Sequence, residues 1–470
     1  MKLYRKINDN PSIVWVNEEV VTQRIDADYY HVSHIQKKKS DILMTKLSGY
    51  CTLSKKRFNF SKYDKEKFKY IDISNVNINT GDFEYQTLNI NNAPSRARKK
   101  VNKNDIIVST VRPNRNAVSI INVEDNELVA STGFAVLECK RNIDNYYLFT
   151  VLKTDNAVGQ LVRKTSGGLY PAISEQDILD IDIPIPSPEI QKYIGDKVRK
   201  AEGLREAAKG LKKEAEEVLG EQLNVKELLF KLNKYTEKYN WIKESDINDR
   251  MDALYYNPQK NVIKRFYKNY DLRKLNELVG YKKGFAFKSR DYCHSNTNTF
   301  LLRVSDISND EVSMENMVNL PEKFYQEYID FNLFNQDIVM VVTGNTTGKS
   351  IIINNSESKL LLNQNAVRMR LKDGVDVSSY YIDLILKSQY FQTLLRYSLY
   401  QSVQPFISME FLNEVMIPII DKTEREEISN LYKKSLNNLF HAKKLIFEAK
   451  QDVEDLIEGN FDVSKVKVNN

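Results

Sequence analysis

The chain has 470 residues, 41% of them hydrophobic and 28% charged, with a formal net charge of +6. This is a globular composition with length for two or more domains, each able to bury its own core. No run approaches the roughly 18 uninterrupted apolar residues of a membrane span, and the start MKLYRKINDN lacks the apolar stretch of a secretion signal. Three scattered cysteines without CxxC spacing, and four histidines, support neither a disulfide framework nor a structural zinc site. The expected location is the cytoplasm.

In chain order, each half opens on a short helical signal and turns strand-rich. Phe68 to Val76 and Asp105 to Val111 carry the β-branched runs of buried strands, as do Phe300 to Ile307 and Asp337 to Thr343. Tyr146 to Lys153 and Tyr380 to Lys387 are predicted helices. A proline turn follows each, at Gly167-Gly-Leu-Tyr-Pro and at Tyr400-Gln-Ser-Val-Gln-Pro. Ile173 to Ile183 then holds a helical turn flanked by β-like apolar residues, leading into Pro184.

These correspondences are a repeat. Pro171 pairs with Pro405, Ser174 with Ser408 and Pro184 with Pro418, each 234 positions on. Upstream, Arg24-Ile-Asp-Ala-Asp-Tyr-Tyr answers Arg250-Met-Asp-Ala-Leu-Tyr-Tyr, and Asn104-Asp-Ile-Ile-Val answers Gln336-Asp-Ile-Val-Met. Solenoid units run about 20–50 residues, so a repeat this long is a duplicated domain.

After each copy comes a proline-free heptad pattern. Ile190, Ile194, Val198, Ala201, Leu204, Ala208, Leu211, Ala215 and Val218 form the first seam. Ile428, Tyr432, Ser435, Leu439, Ala442, Ile446, Ala449, Val453 and Leu456 form the second. A 35-residue helix would span about 52 Å. The ordinary alternative is one core helix per domain, but two long seams, one after each copy, fit helices that pair antiparallel. The expected fold is α+β: two tandem similar α/β domains, separated and followed by long α-helices that form an antiparallel coiled coil with pseudo-two-fold symmetry. The expected bounds are 1–186 and 241–420 for the domains, with 187–240 and 421–470 for the helical regions.

No catalytic constellation emerges. Thr343-Gly-Asn-Thr-Thr-Gly-Lys-Ser has three residues between its glycines where a phosphate-binding loop needs four. The matching place in the first copy, Thr110-Val-Arg-Pro-Asn-Arg-Asn, has no glycine. A loop that is glycine-rich in one copy and arginine-rich in the other reads as a variable recognition loop. Asn257-Pro-Gln-Lys lacks the second proline and the aromatic of an amino-methyl-transfer motif, and no nucleophile elbow or paired histidine appears. The chain reads as a non-enzyme.

The text resembles the specificity subunit of type I restriction–modification systems. The resemblance rests on Asn92-Ala-Pro-Ser-Arg-Ala-Arg-Lys before Asp105-Ile-Ile-Val-Ser-Thr-Val-Arg-Pro, on the Gly167-Gly-Leu-Tyr-Pro-Ala-Ile-Ser turn, and on Ile183-Pro-Ile-Pro-Ser-Pro-Glu-Ile-Gln before a long helix. In the second copy it rests on Gly284-Phe-Ala-Phe-Lys-Ser-Arg-Asp-Tyr and on Gly344-Asn-Thr-Thr-Gly-Lys-Ser. The second copy departs from this pattern, with Ser402-Val403 in place of the double glycine. The resemblance implies two target-recognition domains, each reading one half of a bipartite sequence in double-stranded DNA. It also implies helices that dock two methyltransferase subunits, with restriction translocase–nuclease subunits joining them. S-adenosylmethionine and ATP with Mg would then belong to the partners, the chain itself carrying no cofactor or metal. The rival reading is a stand-alone or methylation-only DNA-binding structural protein of a defence complex, without restriction partners.

Base edges are read by Arg, Lys, Asn and Gln, while phosphates take Lys and Arg. The candidates in the first copy are Arg112, Asn114, Arg115, Arg163 and Lys164, with Arg96 and Arg98 on the DNA backbone. For the last two, the alternative is a structural salt bridge. In the second copy they are Asn345, Thr346, Lys349, Gln401 and Gln404, with Lys282 and Lys288 on phosphates; the alternative for Gln404 is bracing the turn before Pro405. The helix positions expected to dock partners are Ile194, Val198, Leu204, Leu211, Leu439, Ile446 and Val453.

Overall fold

The computed structural model describes residues 42–140, 142–165, 171–235, 241–247, 250, 252–293, 297–308, 310–313, 317–354, 358–400 and 404–467. The Arg24–Tyr30 stretch, the Gly167–Tyr170 half of the first proline turn, and Gln401 lie outside them. The chain divides into two units, residues 1–203 with 442–470, and residues 204–441.

In the first unit the strands are β1 (Met44–Lys46), β2 (Cys51–Leu53), β3 (Lys67–Ile71), β4 (Gln86–Asn89), β5 (Ala97–Lys100), β6 (Ile106–Ser109), β7 (Val118–Ile120), β8 (Leu128–Ser131), β9 (Phe134–Cys139) and β10 (Asp182–Pro184). The helices are α1 (Asn145–Lys153), α2 (Asp155–Arg163), α3 (Glu175–Leu179) and, up to residue 203, the long α4 (Pro188–Gln222). One four-stranded sheet runs β2-β9-β6-β7 and is antiparallel; the other runs β4-β3-β8-β5, with β3 and β8 parallel. β1 pairs with β10. Every residue of β6, β7 and β8 is buried, which is why these strands read as continuous apolar runs rather than alternations. Ile71, Val101, Ile107, Phe134 and Val136 fill one core cluster; Phe58, Phe68 and Tyr70 form a second, aromatic one.

The second unit repeats this plan. Its sheets are Val279–Lys283, Ala366–Leu371, Ile338–Val341, Ser350–Ile352 and Val318–Asn319, Thr299–Leu302, Lys359–Leu362, Asn332–Leu333, in those orders, with Thr299–Leu302 and Lys359–Leu362 parallel. Asp271–Lys274 pairs with Met416–Ile419 as β1 does with β10. Small anchors recur as well. The buried Tyr147 hydroxyl donates to the Pro184 carbonyl (2.9 Å), and Tyr381 does the same to Pro418 (2.7 Å). Ser174 caps α3, and Ser408 caps Met409–Glu414.

Two expected strands are shorter than their apolar runs. The Phe68–Val76 run stops at Ile71, where the Asn75 side chain accepts the Asp72 N–H (2.9 Å) and shapes a turn over Ile73–Asn75. Phe300–Ile307 breaks in the same way, with Asp306 accepting the Arg303 N–H (2.9 Å). Asn and Asp side chains that bond nearby backbone compete with the sheet ladder.

The heptad seams become α4 and a second long helix, Lys422–Glu458. They run antiparallel. In the first unit Lys197 pairs with Asp452 (2.5 Å), and in the second the Ser435 hydroxyl donates to the Ala208 carbonyl (2.7 Å). A side chain on one helix reaches the backbone of the other because small residues recur every seventh position, at Ala201, Ala208 and Ala215 and at Ser435, Ala442 and Ala449, all buried.

Candidate nucleic-acid interface

In the first unit three segments converge at the end of strand β6. The Thr110 N–H donates to the Gly133 carbonyl (2.9 Å), and the Thr132 N–H to the Arg96 carbonyl (2.8 Å). The Arg112 N–H donates to Pro171 (2.7 Å), and the Ile173 N–H to Thr110 (2.9 Å). The loop after β6 is thus stitched on one side to the β8–β9 turn and on the other to the proline segment. Arg112 has φ 50° and ψ 59°, a left-handed conformation uncommon outside glycine. It starts a short turn, Pro113–Arg115, that packs against α2. Asn114 and Arg115 are exposed on that turn; Arg112, Arg163 and Lys164 are half-buried. Arg163 and Lys164 close the C-terminal end of α2, where cations offset the negative end of the helix dipole.

Arg96 and Arg98 flank the start of β5 and are exposed. Neither forms an ion pair among the described residues. The Arg98 Nε donates to the Ser95 carbonyl (3.0 Å), while the next residue, Lys99, takes the structural role, pairing with Glu175 (2.5 Å).

The second unit builds the same junction from different side chains. The Gly344 N–H donates to the Pro405 carbonyl (3.1 Å), the Ile407 N–H to Val342 (2.9 Å), and the Val342 N–H to Asn365 (2.9 Å). Gly344, at the place of Arg112, has φ 114°. The Thr347 hydroxyl donates to the carbonyls of Gly344 (2.6 Å) and Pro405 (3.0 Å), tying the loop shut. Asn345 and Thr346 are left exposed, and so is Gln404 beside Pro405. The loop continues into the strand Ser350–Ile352, not into the helix N-terminus that a phosphate-binding loop requires.

Two expected cations are placed otherwise. Lys349 is half-buried, its amine 3.4 Å from the Ile307 carbonyl, and burial pushes its pKa down; it is not an exposed reading side chain. Lys282 pairs with Asp330 (2.9 Å) and lies over the Phe331 ring. Lys288 is exposed.

The helix residues also sort themselves. Ile194, Val198, Ile446 and Val453 are buried, so they hold the chain's own seam closed rather than offering a free docking face. Leu204, Leu211 and Leu439 are half-buried, and Phe447 is 65% exposed.

Several residues that anchor the site-bearing domains had no signal in the sequence. Asp310 pairs with Lys387 (2.6 Å) and with Lys212 of α4, while Asp383 bonds Lys387 (2.6 Å), Ser350 (2.6 Å) and the Tyr432 hydroxyl (2.8 Å). This network fastens the second domain to both long helices. In the first unit the corresponding links are Arg199 of α4 to Asp144, and the Asn156 N–H to Glu454 (3.1 Å).

Two tandem α/β domains on paired helices, with loops of like backbone and unlike side chains, define a class of duplicated recognition protein. The chain belongs to the type I restriction modification DNA specificity domain family, whose model matches residues 35–217 and 267–445. It is 23% identical over 377 residues to the type I restriction enzyme MjaVIII specificity subunit of Methanocaldococcus jannaschii, covering 79% of this chain and 81% of that one. It is 25% identical over 150 residues to the HindI specificity subunit of Haemophilus influenzae, covering 30% and 31%. Similar solved structures are the HsdS subunit from Thermoanaerobacter tengcongensis (17% identity, 89% and 97% covered, TM-score 0.34) and the S subunit from M. genitalium (13%, 91% and 98%, TM-score 0.43). The chain is a non-catalytic specificity protein. Among the described residues no helix is long and apolar enough to cross a membrane.

Proposed function

We propose that the chain is the DNA-specificity subunit of a type I restriction–modification complex and that each unit reads one half of a bipartite duplex target. The observation that carries this reading is the repeated junction. Both units pin the loop after a buried strand onto a proline segment with equivalent backbone bonds, yet one presents Asn114 and Arg115 and the other Asn345 and Thr346. A fixed backbone with divergent exposed donors and acceptors suits two different half-sites. The half-buried Leu204, Leu211 and Leu439 and the exposed Phe447 dock two methyltransferase subunits, which supply S-adenosylmethionine chemistry. Translocase–nuclease subunits supply the ATP and Mg step, and the assembly works in the cytoplasm.

The test is binding by the reconstituted complex to duplexes carrying every single-base change, at several salt concentrations. Arg115→Ala should cost about 1–3 kcal/mol and relax preference at one position of the first half-site. Arg98→Ala should weaken all sequences alike and flatten the salt slope by about one unit. Unchanged base preferences with Arg115→Ala would remove this loop from the reading surface. A chain that modifies DNA with methyltransferase subunits and recruits no nuclease would favour the methylation-only alternative.

A further inference from the structure

The sequence match between Arg24-Ile-Asp-Ala-Asp-Tyr-Tyr and Arg250-Met-Asp-Ala-Leu-Tyr-Tyr lies outside the reading loops, and in the second unit the structure shows what its arginine holds. Arg250 is 7% exposed. Its guanidinium donates to the carbonyls of Ser398 (2.6 Å) and Leu399 (3.0 Å) and to the Asp252 carboxylate (2.8 Å). It also lies against the rings of Tyr255 (4.4 Å) and Tyr400 (4.0 Å). Tyr400 in turn stacks on Phe406, with ring centroids 4.6 Å apart and planes 4° from parallel. The backbones of Tyr400 and Phe406 bond reciprocally (3.1 and 3.4 Å). They therefore pair as the two ends of a hairpin whose described residues include Gln404 and Pro405, and Phe406 bridges to Thr343 at the mouth of the Gly344 loop.

We infer that Arg250 is a positioning residue for target readout by the second unit. It sets the hairpin and the Gly344 loop at a fixed height through the Tyr400–Phe406 stack, without touching DNA itself. The inference rests on the reading that this hairpin and loop contact the target. Three observations make Arg250 hard to replace. Two backbone carbonyls just before the hairpin end on one guanidinium, and a compact ammonium cannot satisfy both while stacking flat on a ring. The cation–π contact is desolvated, the setting in which it is strongest. A cavity of about 650 Å³ is walled by Arg250, Tyr255, Leu394, Ser398 and Tyr400, so both partners of the cation–π contact border open space as well as each other. A readout loop whose supporting shell loosens keeps its side chains but loses its aim.

The experiment uses the full chain in its reconstituted complex, with Arg250→Lys as the main variant, Tyr400→Leu as the second and Gln404→Ala as the hairpin control. Amide exchange at Tyr400 and Phe406, base preference at every position of both half-sites, and thermal stability are measured together. With Arg250→Lys, exchange at the two amides should accelerate. Discrimination should fall about tenfold at a position of the second half-site that also responds to Gln404→Ala, with the first half-site unmoved. Tyr400→Leu should give the same pattern with the arginine intact. Unchanged exchange, or a uniform loss at both half-sites that tracks a lowered melting temperature, would overturn the positioning role. Faster exchange with every base preference intact, for Gln404→Ala as well, would instead overturn the DNA-reading assignment of the hairpin.

Discussion

Lys153 and Lys387 stand at the same place in the two units, each closing the helix that follows the sheets, and both are largely buried. Among the described residues their partners differ in kind. Lys153 donates to the carbonyls of Ile78 (2.5 Å) and Asn116 (3.0 Å), whereas Lys387 meets the carboxylates of Asp310 and Asp383 (both 2.6 Å). Burial alone would lower the Lys387 pKa, but Asp383 and Asp310 outweigh it and raise it. The duplicated scaffold kept a buried cation at this corner and left its compensation free to change. The reading loops show the same pattern, with the backbone junction retained and the side chains exchanged.

The largest difference between the units should appear when that cation is removed. Lys387→Met leaves two buried carboxylates without their main partner and should cost about 3–5 kcal/mol. Lys153→Met strands carbonyls and should cost about 1–3 kcal/mol. Denaturant unfolding of the two variants side by side checks this, and equal losses would erase the distinction.

A smaller effect follows in acid. Burial alone would raise the Asp310 pKa, but Lys387 and Lys212 outweigh it and hold the carboxyl at about 2. The folded value lies below the unfolded value of about 3.9. Its contribution is therefore complete above about pH 5 and is lost as pH falls through 2, amounting to about 2.6 kcal/mol. Thermal melts from pH 5 to pH 2.5 should show this loss in the wild type and a flatter profile in Asp310→Asn. A wild-type profile no steeper than the variant's would mean that the lysines do not hold this carboxylate.

The smallest expected stability change belongs to Leu439→Glu. Leu439 is half-buried at the edge of the second unit's core, so the charge stays in partial contact with water and should cost about 1 kcal/mol. Capture of the methyltransferase partner should fall instead. Retained capture would move the docking face elsewhere on the helices.

Much of this was legible in the sequence, and for identifiable reasons. The seams were visible because the heptad is a local period, and the proline-to-serine anchors because the two copies stay in register. The predicted helices Tyr146–Lys153 and Tyr380–Lys387 differ from the observed ones by one residue at their starts. The Asp310–Lys387–Asp383 network escaped notice because its members come from segments with no common period and meet only through the fold. Register across strands hid another pair: Cys51 and Cys139 face each other on β2 and β9 with their sulfurs 3.5 Å apart, although they are far apart in the chain. The half-burial of Lys349 was not legible either, because Gly-Lys-Ser gives no sign of the Ile307 carbonyl that lies 3.4 Å from its amine.

The first unit is assembled from two stretches of chain, 1–203 and 442–470, and the second from the single stretch between them. During synthesis the ribosome therefore releases every residue of the second unit before the first can close. Until residues 442–458 emerge, Lys197 lacks Asp452, the stretch of α4 that carries the buried Ile194, Val198 and Ala201 lacks its partner helix, and contacts of such long sequence separation form late. A nascent chain halted anywhere short of that helix would carry a sticky apolar stripe on its oldest part, a substrate for chaperones or for the matching stripe of another copy.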